Sequence, residues 1–390
     1  MSSNPDAKSL ELIERLVAFP TVSRDSNLEL IDFVGEYLAG HGVQAQVVPS
    51  ACGQKANLYA TVGPSREGGV VLSGHTDVVP VVGQPWDSDP FQVVRRDGRL
   101  FGRGTADMKS FCAVALALVP EMQAAGLSRP IHFAFSYDEE VGCVGAPSMI
   151  RAMSGALPAC RAVIVGEPTG MRPVNAHKGM KGFDTTVTGH EAHSAQTHRG
   201  VSAVMNASRL IAFLGELAEL ARQRAASSEV AKRFTPPYTT IHVGVVNGGT
   251  ARNIISRECS FSWDMRNVPD DDADFYVRRF EQFCNEQVLP AMRAVAPQTG
   301  IHTEVVFDVP GLAPEADGSA EALVTALLGS NASDAVSYCT EAGQFQSSGF
   351  SAIICGPGSI DQAHQPNEYI ELSQIAACEA FLRQVIEQQT

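Results

Sequence analysis

Basic residues are scarce: 29 Lys and Arg stand against 43 Asp and Glu, a net charge of −14. That balance argues against a nucleic-acid partner, which needs a basic footprint. C-x-x-C pairs are missing as well, since the nine cysteines are scattered from Cys52 to Cys378. An unclustered, odd set argues against a thiolate metal site or a disulfide framework and fits a reducing compartment. Long apolar runs are absent: CAVALALVP, ending at Pro120, is far short of a membrane span. The N-terminal LELIERLVAF is interrupted by Glu11, Glu14 and Arg15, so it is no secretory h-region. A cytoplasmic chain with no membrane partner is expected. There is no G-x-S-x-G and no Walker-type glycine-lysine step, and GRGTAD lacks the third glycine of a dinucleotide fingerprint. These gaps remove serine hydrolases and phosphate-cradling enzymes from consideration.

What remains has an ordinary globular make-up, 44% hydrophobic and 18% charged over 390 residues, a length that favours two domains. Residues 9–19 and 28–41 repeat apolar positions at helical spacing, with Gly42 as a C-cap. Short apolar runs at 57–62, 70–73, 131–137 and 162–165 alternate with helical patterns, notably 107–125, where Pro120 marks a kink or an end. Strands alternating with helices predict a mixed, largely parallel sheet with helices on both faces. From about 178 the texture changes to strand, helix (201–222), two strands (239–246, 258–265), helix (272–292) and strand (302–307). That order predicts an inserted α+β, ferredoxin-like domain. After FDVPGLAP the first texture returns with a helix over 319–329 and the buried run SAIICGPG. The expected division is a catalytic domain over 1–177 and 311–390 and an inserted domain over 178–310.

In open α/β sheets chemistry gathers beyond the carboxyl ends of the strands. His75 and Asp77 follow the run at 70–73; Asp138, Glu139 and Glu140 follow IHFAFSY; Glu167 follows AVIVG; His364 follows SAIICGPG; Asp107 opens the 107–125 pattern. Singly, each has an ordinary use: Asp107 as a helix N-cap, DEE as a solvated loop, His364 as a surface residue. Together, two histidines and three carboxylates are too many for one tetrahedral zinc. They suffice for two divalent ions if one carboxylate bridges and a water is shared. Imidazole with carboxylate suits zinc, with cobalt or manganese as substitutes. Two such ions about 3.5–4 Å apart make hydroxide near neutral pH and polarise a carbonyl. Of the neighbours Glu139 and Glu140, which alternate in direction if extended, one ligates and the other is free to move a proton from water to a leaving amine. That is amide hydrolysis.

The segments SGHTDVVP, GRGTADMKS, DEEVGCVGA, GEPT and HQPNEY occur in the order found in the dinuclear zinc aminoacylase/carboxypeptidase family, which the chain resembles over nearly its whole length. The resemblance implies that His75, Asp107 and Glu167 hold one metal and Asp107, Glu140 and His364 the other. It also implies that Glu139 is the general base, that Asp77 orients His75, and that the bond after Asp107 is cis. The inserted domain resembles that family's dimerisation lid, implying a homodimer. YCTEAGQFQ and CGPGSIDQAHQPNEYIEL resemble the branch that deacetylates N-acetyl-L-ornithine, a step of arginine biosynthesis. Desuccinylases of diaminopimelate synthesis and broad N-acyl-amino-acid hydrolases share the metal set, so a small N-acylated amino acid is the expected substrate. By the same resemblance His193 reaches the partner's site and stabilises an oxyanion, and Asn253 and Arg266 hold the substrate carboxylate. Glu341 is expected at the substrate's side-chain cation and Gly343 at a close backbone approach. His132 reads as structural, and His177, His190 and His198 carry no assignment.

Overall fold

The computed structural model describes residues 4–390. The chain divides into one unit comprising Met1–Ala176, Leu312–Ala335 and Thr340–Thr390, and a second comprising His177–Gly311 with Val336–Cys339. That last short segment carries no sign of its membership in the sequence pattern.

The apolar runs of the first unit become an eight-stranded sheet, and its centre is parallel. Ile131–Ser136, Gly69–His75, Cys160–Pro168 and Ala352–Gly356 lie side by side and run the same way. Antiparallel strands flank them, Ala56–Val62 and Ala45–Pro49 on one side and Val174–His177 on the other. The expected mixed, largely parallel sheet is therefore present. Every residue of Gly69–His75 is buried, as a parallel strand covered on both faces requires. Its side chains alternate. Val70 and Leu72 join a core built with Ala7–Val17, Leu28–Gly40, Lys109–Ala117 and Leu372–Gln389. Full burial of each is worth ~1.5–3 kcal/mol, an upper bound. Ser73 and His75 project to the opposite face. Helices Ala146–Ala156 and Ala342–Ser347 pack against the sheet outside that core, so helices cover both faces. The helical pattern at 107–125 splits into Lys109–Ala117 and Val119–Ala124, with Pro120 in the first turn of the second, where its missing N–H costs nothing.

The second unit has the strand and helix order expected of a ferredoxin-like fold. Its four strands lie in the order Thr240–Gly248, Glu258–Asn267, Gly179–Thr188, Gly300–Val309, all antiparallel. Cys259, Phe261, Trp263 and Met265 alternate inward, and Trp263 stacks on Phe183 at 4.0 Å. Helix Ala203–Ala225 covers that face. The second helix runs Ala273–Phe283, loosens to a π turn over Cys284–Val288 and resumes as Leu289–Val295, because Pro290 removes one donor from the ladder. Among the described residues no helix is long and apolar enough to cross a membrane.

Candidate metal centre

Three parallel strands end together. His75 is the last residue of Gly69–His75, and Glu167 is the penultimate residue of Cys160–Pro168. Glu139 and Glu140 follow Ile131–Ser136 after one short turn. Gly166 lets this edge close up, since a Cβ there would lie 2.0 Å from the Phe111 ring. Asp107 and His364 arrive on loops from elsewhere. An antiparallel ladder pairs Phe101 with Tyr369, so the loops beyond these residues leave the same end together. Asp107 is not a helix cap: Met108 occupies that position, and the Asp107–Met108 bond is cis.

His75 Nδ1 donates to the backbone carbonyl of Asp77 at 2.9 Å, which turns Nε2 toward the carboxylates. Nε2 lies 3.0 Å from Asp107 Oδ1 and 3.9 Å from Glu167 Oε1. The other oxygen of Asp107 is 3.3 Å from His364 Nε2, which is 2.9 Å from Glu140 Oε2. Donor atoms converge in two sets within 4.8 Å: His75, Glu139 and Glu167, and His75, Asp107 and Glu140. Both sets include His75, and His364 adjoins the second. Asp107 is the carboxylate that touches both imidazoles.

Charge at this edge does not balance. Burial and mutual repulsion push the proton affinities of Glu139, Glu140 and Glu167 up. Burial would raise Asp107 too, but hydrogen bonds from His364 and His75 hold it well below the usual carboxylate range. Burial works against a charged His75, yet Asp107, Glu167 and Glu139 outweigh it and raise its pKa. Bonds to Asp107 and Glu140 push His364 up to about 10. Among the described residues the ion pairs of Asp107, Glu140 and Glu167 run only to the two imidazoles, and Glu139 forms none. The two donor sets consist of carboxylates and imidazole, which fit divalent cations of borderline hardness.

The model of the peptidase family M20/M25/M40 matches residues 71–388. The chain belongs to that family. It is 33% identical over 387 residues to an acetylornithine deacetylase of Proteus mirabilis, covering 97% of this chain and 96% of that one. A solved M20 family metallo-carboxypeptidase from Sulfolobus solfataricus superimposes with a TM-score of 0.73 at 17% identity, over 98% of this chain and 100% of its own. A dinuclear metal-binding M20 peptidase from Bacillus subtilis does so with a TM-score of 0.66 at 12% identity, over 97% and 96%. The chain is thus an M20 hydrolase, and its His, Asp and Glu clusters are the candidate ligand groups for divalent metal.

Several expected roles need correction in this M20 fold. The Asp77 carboxylate is 3.7 Å from His75 Nδ1, beyond hydrogen-bond range, and the nearer acceptor is the backbone of the same residue. The carboxylate accepts instead from the Ser23 hydroxyl at 2.7 Å and from the N–H groups of Glu139 and Glu140 at 3.1 and 3.3 Å. The strand alternation argued for Glu139 and Glu140 does not apply, because both lie in a loop entered through Asp138 at φ +54°. Glu341 is 1% exposed, and its oxygens accept from the Ser73 and Ser136 hydroxyls. Both of its oxygens are thus engaged by hydroxyls of neighbouring strands. Gly343 is buried in the first turn of Ala342–Ser347.

The remaining candidates belong to the second unit. His193 and Asn253 are exposed neighbours: His193 bridges Ile254, and Ser194 N–H donates to the Asn253 carbonyl at 3.0 Å. Arg266 stands near the far end of Glu258–Asn267, where it donates to Asp264 at 3.1 Å. Eight residues of strand, about 27 Å, separate it from the end near Asn253. His132 is buried and bonds Thr61 at 2.9 Å, in keeping with a structural residue.

Four residues near the centre carried no expected role. Lys55 pairs with Asp138, Cys143 donates its thiol to Glu139 Oε1 at 3.2 Å, and Arg103 pairs with Glu368. Only Glu368 had a signal in the sequence, as the acid of HQPNEY, two residues after a proline in a ligand loop.

Proposed function

We propose that this M20 hydrolase is dinuclear and removes the acetyl group from N-acetyl-L-ornithine, giving ornithine and acetate in arginine biosynthesis. The observation that carries the reading is Asp107, which presents one oxygen to each imidazole, 3.0 Å from His75 and 3.3 Å from His364. In this reading His75, Asp107 and Glu167 hold one ion, and Asp107, Glu140 and His364 hold the other. Zinc suits the donors, with cobalt or manganese as substitutes. When bound, the ions supply Lewis acidity, acidifying water and polarising the scissile carbonyl.

Glu139 makes no ion pair to either imidazole, and burial beside three other acids raises its proton affinity. Its carboxylate takes a proton from the attacking water and returns it to the amine nitrogen as the C–N bond breaks. Asp77 holds the backbone N–H groups of Glu139 and Glu140 while that proton moves. The acyl preference rests on the deacetylase relative at 33% identity. His193 and Asn253, exposed together, serve the site of a second copy in a homodimer, while Arg266 serves the substrate carboxylate separately. The exposed outer strand Thr240–Gly248, with Val245 and Val246 half exposed, supports that association through the second unit. A cytoplasmic location agrees with nine scattered cysteines that form no C-x-x-C pair.

The test is a panel of acetylornithine, succinyl-diaminopimelate, acetylmethionine and a dipeptide on zinc- or cobalt-loaded protein. Chelator-sensitive release of acetate from acetylornithine, with the highest kcat/KM of the four, is expected. A preference for succinyl-diaminopimelate or acetylmethionine moves the chain to a sister activity. No hydrolysis of any amide by fully loaded protein overturns the reading.

A further inference from the structure

Asp107 and His364 are 257 positions apart in sequence, yet their side chains must meet within a few tenths of an ångström to share a cation. The ladder between Arg99–Phe101 and Tyr369–Glu371 brings their loops together, but a ladder of three residues fixes neither loop's tip. A buried polar chain does so. The Glu368 carboxylate accepts from the N–H of Gly104 at 3.0 and 3.1 Å, of Ala106 at 2.8 Å and of Asp107 itself at 3.1 Å. Gly104 takes φ +86°, which lets the loop curl around that carboxylate. Arg103 Nη1 donates to Glu368 Oε2 at 2.7 Å, and both side chains are essentially inaccessible. The guanidinium lies 5.1 Å from the Trp86 ring, and its Nη2 donates to Gln84 Oε1 at 2.5 Å. Gln84 Nε2 in turn donates to the backbone carbonyl of His364 at 3.0 Å. The chain is continuous from the backbone of Asp107 to the backbone of His364.

We infer that Glu368, clamped by Arg103, is a positioning residue that sets the Asp107–His364 geometry, and that Gln84 extends the clamp to the His364 loop. The inference rests on the dinuclear reading above. Glu368 touches neither substrate nor reacting atoms. It acts through three backbone N–H groups, and a carboxylate is needed because every partner is a donor. A carboxamide at this place must aim an N–H at Arg103 or at the loop, whichever way it is turned. Outer partners of this kind typically govern metal affinity by 10–100-fold.

The experiment measures zinc affinity and stoichiometry of the full chain by competition with a fluorescent chelator, alongside thermal unfolding and kinetics. Wild type should bind two zinc ions. Glu368→Gln should keep one tight ion and bind the other about 10–100-fold more weakly, and saturating zinc should restore kcat with KM unchanged. Glu368→Asp should recover part of the loss, and Gln84→Ala should show a several-fold loss at the same ion. A merely structural role would lower the melting temperature and leave both affinities alone. A folded Glu368→Gln with wild-type affinity for both ions overturns the inference while leaving the dinuclear reading intact. If Glu368→Gln does not fold, Gln84→Ala decides, and unchanged affinity there overturns it. Wild type that binds no zinc overturns the dinuclear reading and this inference with it.

Discussion

Lys55 Nζ stands 2.7 and 2.6 Å from the two carboxylate oxygens of Asp138, the residue immediately before Glu139. Arg24 N–H adds a third donor at 2.8 Å. Asp138 sits at φ +54°, a left-handed backbone conformation uncommon outside glycine, though aspartate tolerates it better than most residues. The clamp therefore fixes the point at which the chain turns to present Glu139 and Glu140. Lys55→Met leaves Asp138 buried without its cation, a change that typically costs about 3–5 kcal/mol. Urea unfolding should show that loss, and the double variant with Asp138→Asn should regain part of it. A loss below about 1 kcal/mol, the range of exposed pairs, would mean the clamp holds nothing.

Glu139→Gln preserves shape and removes the proton acceptor. The expected outcome is unchanged metal content and melting temperature with kcat lower by about 10²–10⁴. Metal analysis and steady-state kinetics on one preparation decide it. Loss of an ion along with activity would instead make Glu139 a ligand, a use its place beside His75 and Glu167 permits.

Asp77→Ala separates the two duties of that residue. His75 keeps its backbone acceptor, so zinc affinity should change less than about tenfold, while Glu139 and Glu140 lose the acceptor of their N–H groups. A fall in kcat at saturating zinc is expected. Should affinity collapse while saturated kcat stays normal, the carboxylate acts on His75 after all.

The parallel strands were legible because buried apolar runs separated by helical spacing admit few other arrangements, and Gly69–His75 ends at the expected polar residue. His75, Glu139, Glu140 and Glu167 were legible for the same reason, since sheet topology brings strand ends together without any contact being known; Asp107 and His364, on loops, were legible only through their motifs. What escaped were the individual hydrogen bonds of side chains, whether to backbone or to other side chains. That the Asp77 carboxylate serves Glu139 while its carbonyl serves His75, and that Glu341 bonds Ser73 and Ser136, depends on differences in distance of under an ångström that spacing does not encode. Glu368 stood out only as the acid of HQPNEY; its role did not, because three of its partners are backbone N–H groups and the fourth, Arg103, is 265 positions away.

His132 tests the sheet interior rather than the site. Burial lowers its pKa from 6.5 to about 4. The folded state thus binds fewer protons than the unfolded chain between pH 6.5 and 4. Stability contributed by the neutral ring is complete above 6.5 and lost as pH falls through that window. His132→Gln should flatten this acid limb, measured by urea unfolding at half-unit steps. An unchanged slope would mean that the ring is hydrated or protonated in the fold.

Metal removal reads the imbalance of charge directly. The raised groups at the centre, Glu139, Glu140, Glu167, His75 and His364, all bind protons more tightly folded than unfolded. For each, the sign is the same: stability is full below the unfolded pKa and lost as pH rises through the folded one. For the acids the loss begins above about 4.5, and for the imidazoles it runs from 6.5 up to about 10 at His364. Asp107 has the opposite sign, but its loss lies below 3.8 and does not enter. Metal-free protein should therefore become less stable between pH 6 and 8, and divalent cations should offset that loss because they replace the missing positive charge. The drop in melting temperature caused by a chelator should accordingly be several degrees larger at pH 8 than at pH 6. Effects such as the titration of His132 are common to both forms and cancel in the difference. Glu139→Gln removes one of the repelling acids, so it should narrow the chelator effect at both pH values, and more at pH 8 than at pH 6. A chelator effect that is equal at the two pH values, or larger at pH 6, would mean that the carboxylates are not forced together as the geometry has them.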